Sequence, residues 1–369
     1  MGDIKIDKYL CGNCDRNIED DKSSWYDLKN SFFKILSTIY QKLRYHNVSY
    51  LGISNIMSSI IPRSKTTIFR DFNRSMEDVE IPELEKTYIV NYDEQYPKED
   101  RTQKYRLNIL DSKTSRPLSD ELFDKKDPET IKQYLRRKLD ASQPIFIVTD
   151  FYSSYINILM DVFKENLIHQ YCLMHLNKLI VNDFPKRTTI SEEIIKYRLL
   201  NIFYNREKEI YKLENLEKIT NDVYNEGDKS WLKKAKKEFS AFRHELELSQ
   251  RRNKENLVFH SLEKATNNFN DMMKNIKSYK PKIQKRLKMI QKHWSNLTMS
   301  YHVPGAPATN NALENYYATS LKTHRKKQFR TDHGIDNQIK LSKMKRARLF
   351  NIKKPTLWDI FELARPFKR

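Results

Sequence analysis

The strongest constraint on this chain is a change of texture at Glu85. From there the apolar pattern reads as three strands in succession, then alternates helix, strand, helix, strand, helix as far as residue 184. KTYIVNYDEQY is a strand signal ending in acids, and QKYRLNILDSKTSRPLSDELF carries two more strands around a turn at Asp111 to Ser115. Short runs of β-branched and aromatic residues bounded by Asp, Ser and Pro are the usual composition of paired strands and their turns. Asp127 and Pro128 open the helix DPETIKQYLRRKLD, because Asp caps well and Pro suits the first helical position. SQPIFIVTD is then a short apolar strand, FYSSYINILMDVFKEN an amphipathic helix, LIHQYC a strand and LMHLNKLIVND a helix. A hairpin start makes neighbouring strands antiparallel, while the β-α-β crossovers that follow need parallel ones. The predicted fold class is α/β, a mixed sheet with flanking helices over residues 85–184.

The segments on either side have a different character. Residues 185–300 contain one glycine, Gly227, and no useful strand alternation, and they read as a large helical insertion with helices over 191–225, where a break is open, 229–248 and 251–276. Residues 301–330 return to the core through a loop and a helix, and 331–369 form a basic C-terminal tail with Lys340, Lys343, Lys345, Arg346 and Arg348, then a short amphipathic helix over 357–363. Toward the N-terminus, Phe32, Phe33, Leu36, Ile39, Tyr40 and Leu43 make one apolar helix face. Ile53, Ile56, Met57 and Ile60 make the apolar side of a shorter helix that Pro62 ends. Ser64 can cap the next helix, with Ile68, Phe69 and Phe72 inward and Lys65, Thr66, Thr67 and Arg70 outward. Residues 26–82 thus read as a helix-turn-helix, an N-terminal helical DNA-binding module in which Ser64, Lys65, Thr67 and Arg70 are the candidate DNA contacts. An ordinary helical hairpin would carry the same pattern.

Charge narrows the partners. Lys plus Arg number 68 against 48 Asp plus Glu, a formal net charge of +20. A positive field of that size raises affinity for polyanions, nucleic acid first. Hydrophobic residues at 38% and aromatics at 12% exclude a disordered chain. No apolar run approaches the length of a spanning helix, and MGDIKIDKYL has no signal-peptide core, so no membrane partner and a cytoplasmic location are expected. Cys11, Cys14 and Cys172 are too few for a disulfide framework. Within 1–25, Cys11 and Cys14 make half of a zinc knuckle; a tetrahedral site needs four ligands, and His46 supplies at most one more. A degenerate knuckle and two ordinary thiols both remain open there.

The chemistry rests on acids far apart in sequence. Asp93 and Asp150 each end a strand, and Glu314 stands on the helix after the insertion. Hard cations such as Mg²⁺ or Mn²⁺ take oxygen ligands, and two of them roughly 3.5–4 Å apart can activate an attacking oxygen and stabilise a leaving one in phosphoryl transfer. Each acid also has a plainer reading. Asp93 can be a turn residue, Asp150 an N-cap, and Glu314 the acid of a capping box begun by Asn311.

IVNYDEQY, QKYRLNILDSKT, VTDFYSSY, Cys172 and His175 in HQYCLMH, and Thr309, Asn310, Asn311 and Glu314 in TNNALE occur in the order found in DDE-type transposases of prokaryotic insertion sequences. The chain resembles that family over about residues 85–330, with the helix-turn-helix as a usual companion. It departs from the pattern where Glu99, Asp100 and Arg101 stand in place of a glycine. The resemblance implies an RNase H-like core, with Asp93, Asp150 and Glu314 as catalytic, metal-binding residues sharing two Mg²⁺ or Mn²⁺ ions. It implies double-stranded DNA partners, namely terminal inverted repeats and target, and a homodimer or larger assembly on them, nucleoid-associated when active. Cys172 and His175 take a structural or DNA-positioning role in this scheme. Asn310 and Asn311 in the motif, and His324, Arg325, Lys326, Lys327 and Arg330 just past it, are candidate DNA contacts. The alternatives are a catalytically decayed copy that only binds DNA and a structure-specific nuclease on the same core.

Overall fold

In the computed structural model, the described residues are 8–10, 17–19, 23–59, 61–82, 84, 87–96, 104–226, 233–234, 237–242, 244, 258–321 and 331–351. Cys11, Cys14, the 99–101 departure, His324 to Lys327, Arg330 and the 357–363 helix lie outside them. The chain divides into two compact units, Met1–Glu83 with Thr319–Arg369, and Leu84–Ala318.

In the first unit, β1 (Lys8–Leu10) pairs antiparallel with β2 (Asn17–Glu19), and α1 (Ser23–Tyr45), α2 (Tyr50–Ser58) and α3 (Lys65–Glu77) follow. Ser49 caps α2 by accepting the Gly52 N–H at 2.9 Å, and Ser64 caps α3 by accepting the Thr67 N–H at 3.1 Å. These side chains replace backbone acceptors that a helix start lacks. Ile53, Met57, Ile68, Phe72 and Met76 are buried against Leu36 and Tyr40 of α1. Ile56 and Phe69, predicted to face inward, are 51% and 45% exposed. The i, i+4 pairs Ile53–Met57 and Ile68–Phe72 set the buried stripes, and a residue one step off such a pair turns about 100° away. Lys65, Thr66 and Arg70 are exposed and Thr67 partly so.

The basic tail expected from residue 331 is instead helical over Asp332–Arg346. Thr331 caps this helix, Lys343, Lys345 and Arg346 fill its last turn, and Leu341 and Met344 join the core of Ile53 and Phe72. Cations there complement the partial negative charge of a helix C-terminus. The apolar spacing was masked in sequence by the lysines around it.

The second unit is built on a five-stranded sheet of order β5-β4-β3-β6-β7, made of β3 (Ile89–Gln95), β4 (Tyr105–Asp111), β5 (Pro117–Phe123), β6 (Ile145–Thr149) and β7 (Leu167–Tyr171). β3, β4 and β5 are antiparallel neighbours, whereas β6 runs parallel to both β3 and β7. The predicted turn between β4 and β5 forms around Asp111, whose carboxylate accepts from Thr87 Oγ1 and from the Thr114 N–H, both at 2.7 Å. α4 (Pro128–Lys138) and α5 (Ser153–Phe163) bury Ile131, Leu135, Ile158 and Leu159 with Val90, Tyr92, Ile109 and Ile147. In two further clusters Phe146 and Val148 pack with Cys172, and Leu110 packs with Leu313, Tyr316 and Tyr317.

α6 (Leu173–Asn182), α7 (Ile190–Leu200) and the helices Leu262–Lys274 and Pro281–Lys292 enclose a separate core that includes Leu176, Phe203, Phe269 and Leu287. The break left open within 191–225 falls after Leu200, and the chain resumes as α8 (Glu207–Glu226). Between the two, Tyr204 makes an antiparallel bridge with Phe259. The helix predicted from 251 begins at Leu262, where Ser261 accepts the Lys264 N–H. Pairing with Tyr204 and this cap set its start. Most of the predicted 229–248 helix lies outside the described residues. No helix among the described residues is long and apolar enough to cross a membrane.

Candidate metal centre

β3 and β6 run parallel with Asn91 beside Val148, so two residues further on Asp93 comes beside Asp150, at the C-terminal ends of both strands. Side chains alternate across a strand, which separates Asn91 and Asp93 from Tyr92 and Glu94. Glu94 is sealed among hydroxyls. Its carboxylate accepts from Tyr92 at 2.6 Å and Tyr155 at 2.5 Å, with Lys126 Nζ 3.4 Å away. Among the described residues, Asp93 accepts from the Glu94 N–H at 2.8 Å and from no such hydroxyl. Burial first, then the charges of Asp150 and Glu94, hold its carboxyl well above the usual range.

The other groups arrive from α6 and from the Asn311–Ser320 helix. His175 Nδ1 is 2.9 Å from Asp150 Oδ1, and its Nε2 is 3.9 Å from Glu314 Oε1. Lys178, one turn along α6, places Nζ 2.7 Å from the same Glu314 oxygen. One imidazole therefore stands between the second and third acids. Burial opposes its charge, but the close approach of Asp150 and Cys172 outweighs burial and pushes its pKa up to about 10.

The plainer readings of two acids do not hold. Tyr152, not Asp150, is the N-cap of α5 and makes no side-chain cap bond. The Glu314 N–H bonds to the carbonyl of Asn310, which places Glu314 beyond a capping-box position, and its carboxylate meets Lys178 instead. Asn310 is fully buried. Its amide donates to the Tyr92 carbonyl and to Asp150 Oδ1, both at 3.2 Å, and accepts from Asn91 at 2.7 Å. The expected DNA contact at Asn310 is thus corrected to a strut inside the unit, while Asn311 beside it is exposed. Cys172 is buried, and its sulfur accepts the Asn310 N–H at 3.1 Å.

The donor set fits a cation. Two carboxylates crowded at adjacent strand ends, one with a strongly raised pKa, mark a place where a positive ion relieves repulsion. Asn108 on β4 lies directly across from Asp93, is buried, and leaves both its amide nitrogen and oxygen without a partner among the described residues. That leaves polar capacity next to Asp93 unspent. Asp150, Cys172 and His175 also bring one donor atom each within 4.8 Å of one another. Sequence reasoning gave Cys172 and His175 no third ligand; the fold supplies Asp150.

Two supporting networks were not foreseen. Arg106 on β4 and Asp120 on β5 form a buried bidentate pair at 2.7 and 2.5 Å. Tyr316 donates to Asp120 at 2.7 Å, the Arg106 guanidinium lies 5.3 and 5.0 Å from the ring centres of Tyr316 and Tyr317, and Tyr317 donates to the Asp93 carbonyl at 2.8 Å. This ties the Glu314-bearing helix to the sheet. The second network lies behind Asp150. His169 Nε2 is 2.8 Å from Thr149 Oγ1, which in turn donates to the Asp150 carbonyl at 3.0 Å. With its one hydroxyl proton spent there, Thr149 accepts from His169, which fixes the Nε2–H tautomer.

Burial, with a smaller push from the charge of His293, lowers the His169 pKa to about 3. An unfolded chain takes up that proton near pH 6.5, so between about pH 6.5 and 3 the unfolded state binds more protons and stability falls as pH falls. The expected slope from this one group is about 1.4 kcal/mol per pH unit, flat above the window. Urea unfolding from pH 7.5 to 4 should show it, and His169→Asn should lack that share of the acid dependence. Parallel curves for the two proteins would remove the assignment.

No protein-family model matches the chain. It is similar to an insertion element ISM1 uncharacterized 48.3 kDa protein from Methanobrevibacter smithii, 23% identical over 190 residues. That similarity covers 48% of this chain and 45% of the relative, so the chain spans less than half the length of the protein it matches.

Proposed function

We propose that the chain is a DDE-type transposase with an RNase H-like core, cutting and joining DNA strands at the ends of an insertion element. The observation that carries this reading is the placement of three acids about His175. Asp93 and Asp150 are side by side through the parallel β3–β6 register, and Glu314 lies 3.9 Å from the imidazole that touches Asp150. The adjacency of the first and fourth strands of the sheet agrees with the RNase H-like expectation, and the insertion-element relative supports the same class.

Asp93, Asp150 and Glu314 would hold two Mg²⁺ or Mn²⁺ ions, which supply Lewis acidity to the attacking and leaving oxygens. His175 and Lys178 orient Asp150 and Glu314 and offset their charge. Lys178, half-exposed, offers an ammonium to an incoming phosphate. In the first step water attacks the phosphorus at the element's end, the P–O bond to the 3′ oxygen breaks, and that oxygen leaves as a 3′ hydroxyl. In the second step this hydroxyl attacks a phosphodiester of target DNA, forming one P–O bond as another breaks. Lys65, Thr67 and Arg70 on α3 would contact the terminal repeats, with Ser64 fixing the helix start. A dimer or larger assembly would bring two ends together.

The test uses the purified chain, Mg²⁺ or Mn²⁺, and labelled duplexes carrying the DNA that flanks the gene on each side. Nicking with a free 3′ hydroxyl, followed by a joined product, is expected. Cleavage with no joining on any target would assign a structure-specific nuclease instead. Tight binding without cleavage would leave a decayed, DNA-binding copy.

A further inference from the structure

Asn108 stands in the middle of β4 and is fully buried, yet neither its amide nitrogen nor its amide oxygen has a partner among the described residues. The antiparallel registers place it directly across from Asp93 on β3 and from Asp120 on β5. Directly opposed residues share a face of the sheet, with Cβ atoms about 4.5–5.5 Å apart. The Glu314-bearing helix covers this face. Leu110, two residues along β4, packs with Leu313, Tyr316 and Tyr317, and Arg106, two residues the other way, lies against the rings of Tyr316 and Tyr317. On the β5 side, Asp120 has both oxygens bonded, one to Arg106 and the other to Arg106 and Tyr316. On the β3 side, the Asp93 carboxylate accepts from the Glu94 N–H and is partly exposed. A buried amide left unmet costs folding free energy, and an apolar side chain of the same branched shape removes that cost. Asparagine at this position therefore works against the stability of the empty fold, and groups with that property concentrate where function needs them.

We propose that Asn108 is a positioning residue for the divalent cation at Asp93, its amide oxygen accepting a hydrogen bond from a water bound to that ion. This rests on the reading of the acids as a cation site and deepens it. Mg²⁺ keeps several of its waters when it binds protein carboxylates, and the protons of those waters need acceptors. The amide oxygen of Asn108 supplies one without adding a further negative charge beside Asp93 and Asp150, and its amide nitrogen is free to donate to the oxygen of a second water. Such outer partners fix the orientation of what the ion carries.

Asn108→Leu keeps the branched shape and removes both polar atoms, whereas Asn108→Asp keeps an acceptor and adds charge. The probe is Mn²⁺ alone, titrated into the full chain without DNA and read by loss of the free-ion electron paramagnetic resonance signal. Asn108→Leu should bind Mn²⁺ about tenfold more weakly. In EDTA it should resist urea at least as well as wild type, because it no longer buries an unmet amide. An amide that serves the fold alone predicts the reverse, and a Leu variant of lowered stability with wild-type Mn²⁺ affinity would overturn the proposal. Asn108→Asp should bind Mn²⁺ more tightly than wild type. Should the Leu side chain prevent folding, the Asp variant decides, and unchanged affinity there would overturn the role. Asp150→Asn, titrated in parallel, tests the ion itself. Mn²⁺ binding that Asp150→Asn abolishes and Asn108→Leu leaves intact would remove Asn108 from the site and keep the cation reading. Mn²⁺ binding that is absent from wild type, or indifferent to Asp150→Asn, would remove both.

Discussion

Asp150→Asn should lower metal-dependent strand cleavage by about a thousandfold or more while leaving duplex binding intact. The substitution removes a charge that no neighbouring group can replace at that strand end. A divalent ion is worth several kcal/mol of charge stabilisation in a phosphoryl-transfer transition state, and about 1.4 kcal/mol is a factor of ten in rate. The asparagine amide oxygen can still accept from Asn310, which now bonds Asp150 at 3.2 Å, so the junction of β6 with the TNN loop keeps a partner. Duplex affinity depends on the basic surface of a chain carrying +20 and should not fall. Cleavage of labelled end DNA, paired with a filter-binding curve, separates the two effects. Undiminished cleavage would remove the proposed chemistry whatever the binding curve showed.

Arg106→Met is expected to cost about 3–5 kcal/mol of unfolding free energy, because it leaves Asp120 buried without its cation. The side chains of this pair are 2% and 0% exposed. Burial of the guanidinium works against its charge, yet the Asp120 carboxylate more than restores it and holds the Arg106 pKa above its ordinary value. Asp120 would keep Tyr316 as a donor, and Tyr317 would lose the cation under its ring. Arg106→Met combined with Asp120→Leu should be less destabilised than the two single changes added together, since no lone charge is left inside. Urea denaturation of the four proteins measures the difference. Strict additivity would mean that the pair is not coupled.

Much of the sheet could be read from local signals. The Asp111 turn, the Asp127 cap with Pro128 behind it, the Ser64 cap and the apolar run ending at Asp150 each depend on residues a few positions apart. The three acids could be listed from their strand-end and helix positions, although nothing in the sequence measures how near they come to one another. What stayed hidden joins residues far apart along the chain. Asn310 reads as an exposed polar residue of a loop, and only its bonds to Asn91, Tyr92 and Asp150 show it to be a strut. Arg106 is a single charged residue in a strand pattern, and its partner Asp120 comes from the next strand. Phe69 and Ile56 were misassigned for a different reason: a short helix with apolar residues on more than one side does not declare which stripe the fold will bury.

The order of the parts has a consequence for synthesis. Asp93 and Asp150 leave the ribosome before the helical insertion, whereas the Asn311–Ser320 helix emerges only after it. At the usual pace of about 5–20 residues per second, a nascent chain spends several seconds with two carboxylates in position and no third. The Leu173 N–H then bonds to the carbonyl of Ala308, and the Asn310 N–H reaches the Cys172 sulfur, docking the late segment against α6. A polypeptide released before that point carries the sheet strands and the insertion but not Glu314, so under the proposed chemistry translation withholds the third acid until the insertion has been made.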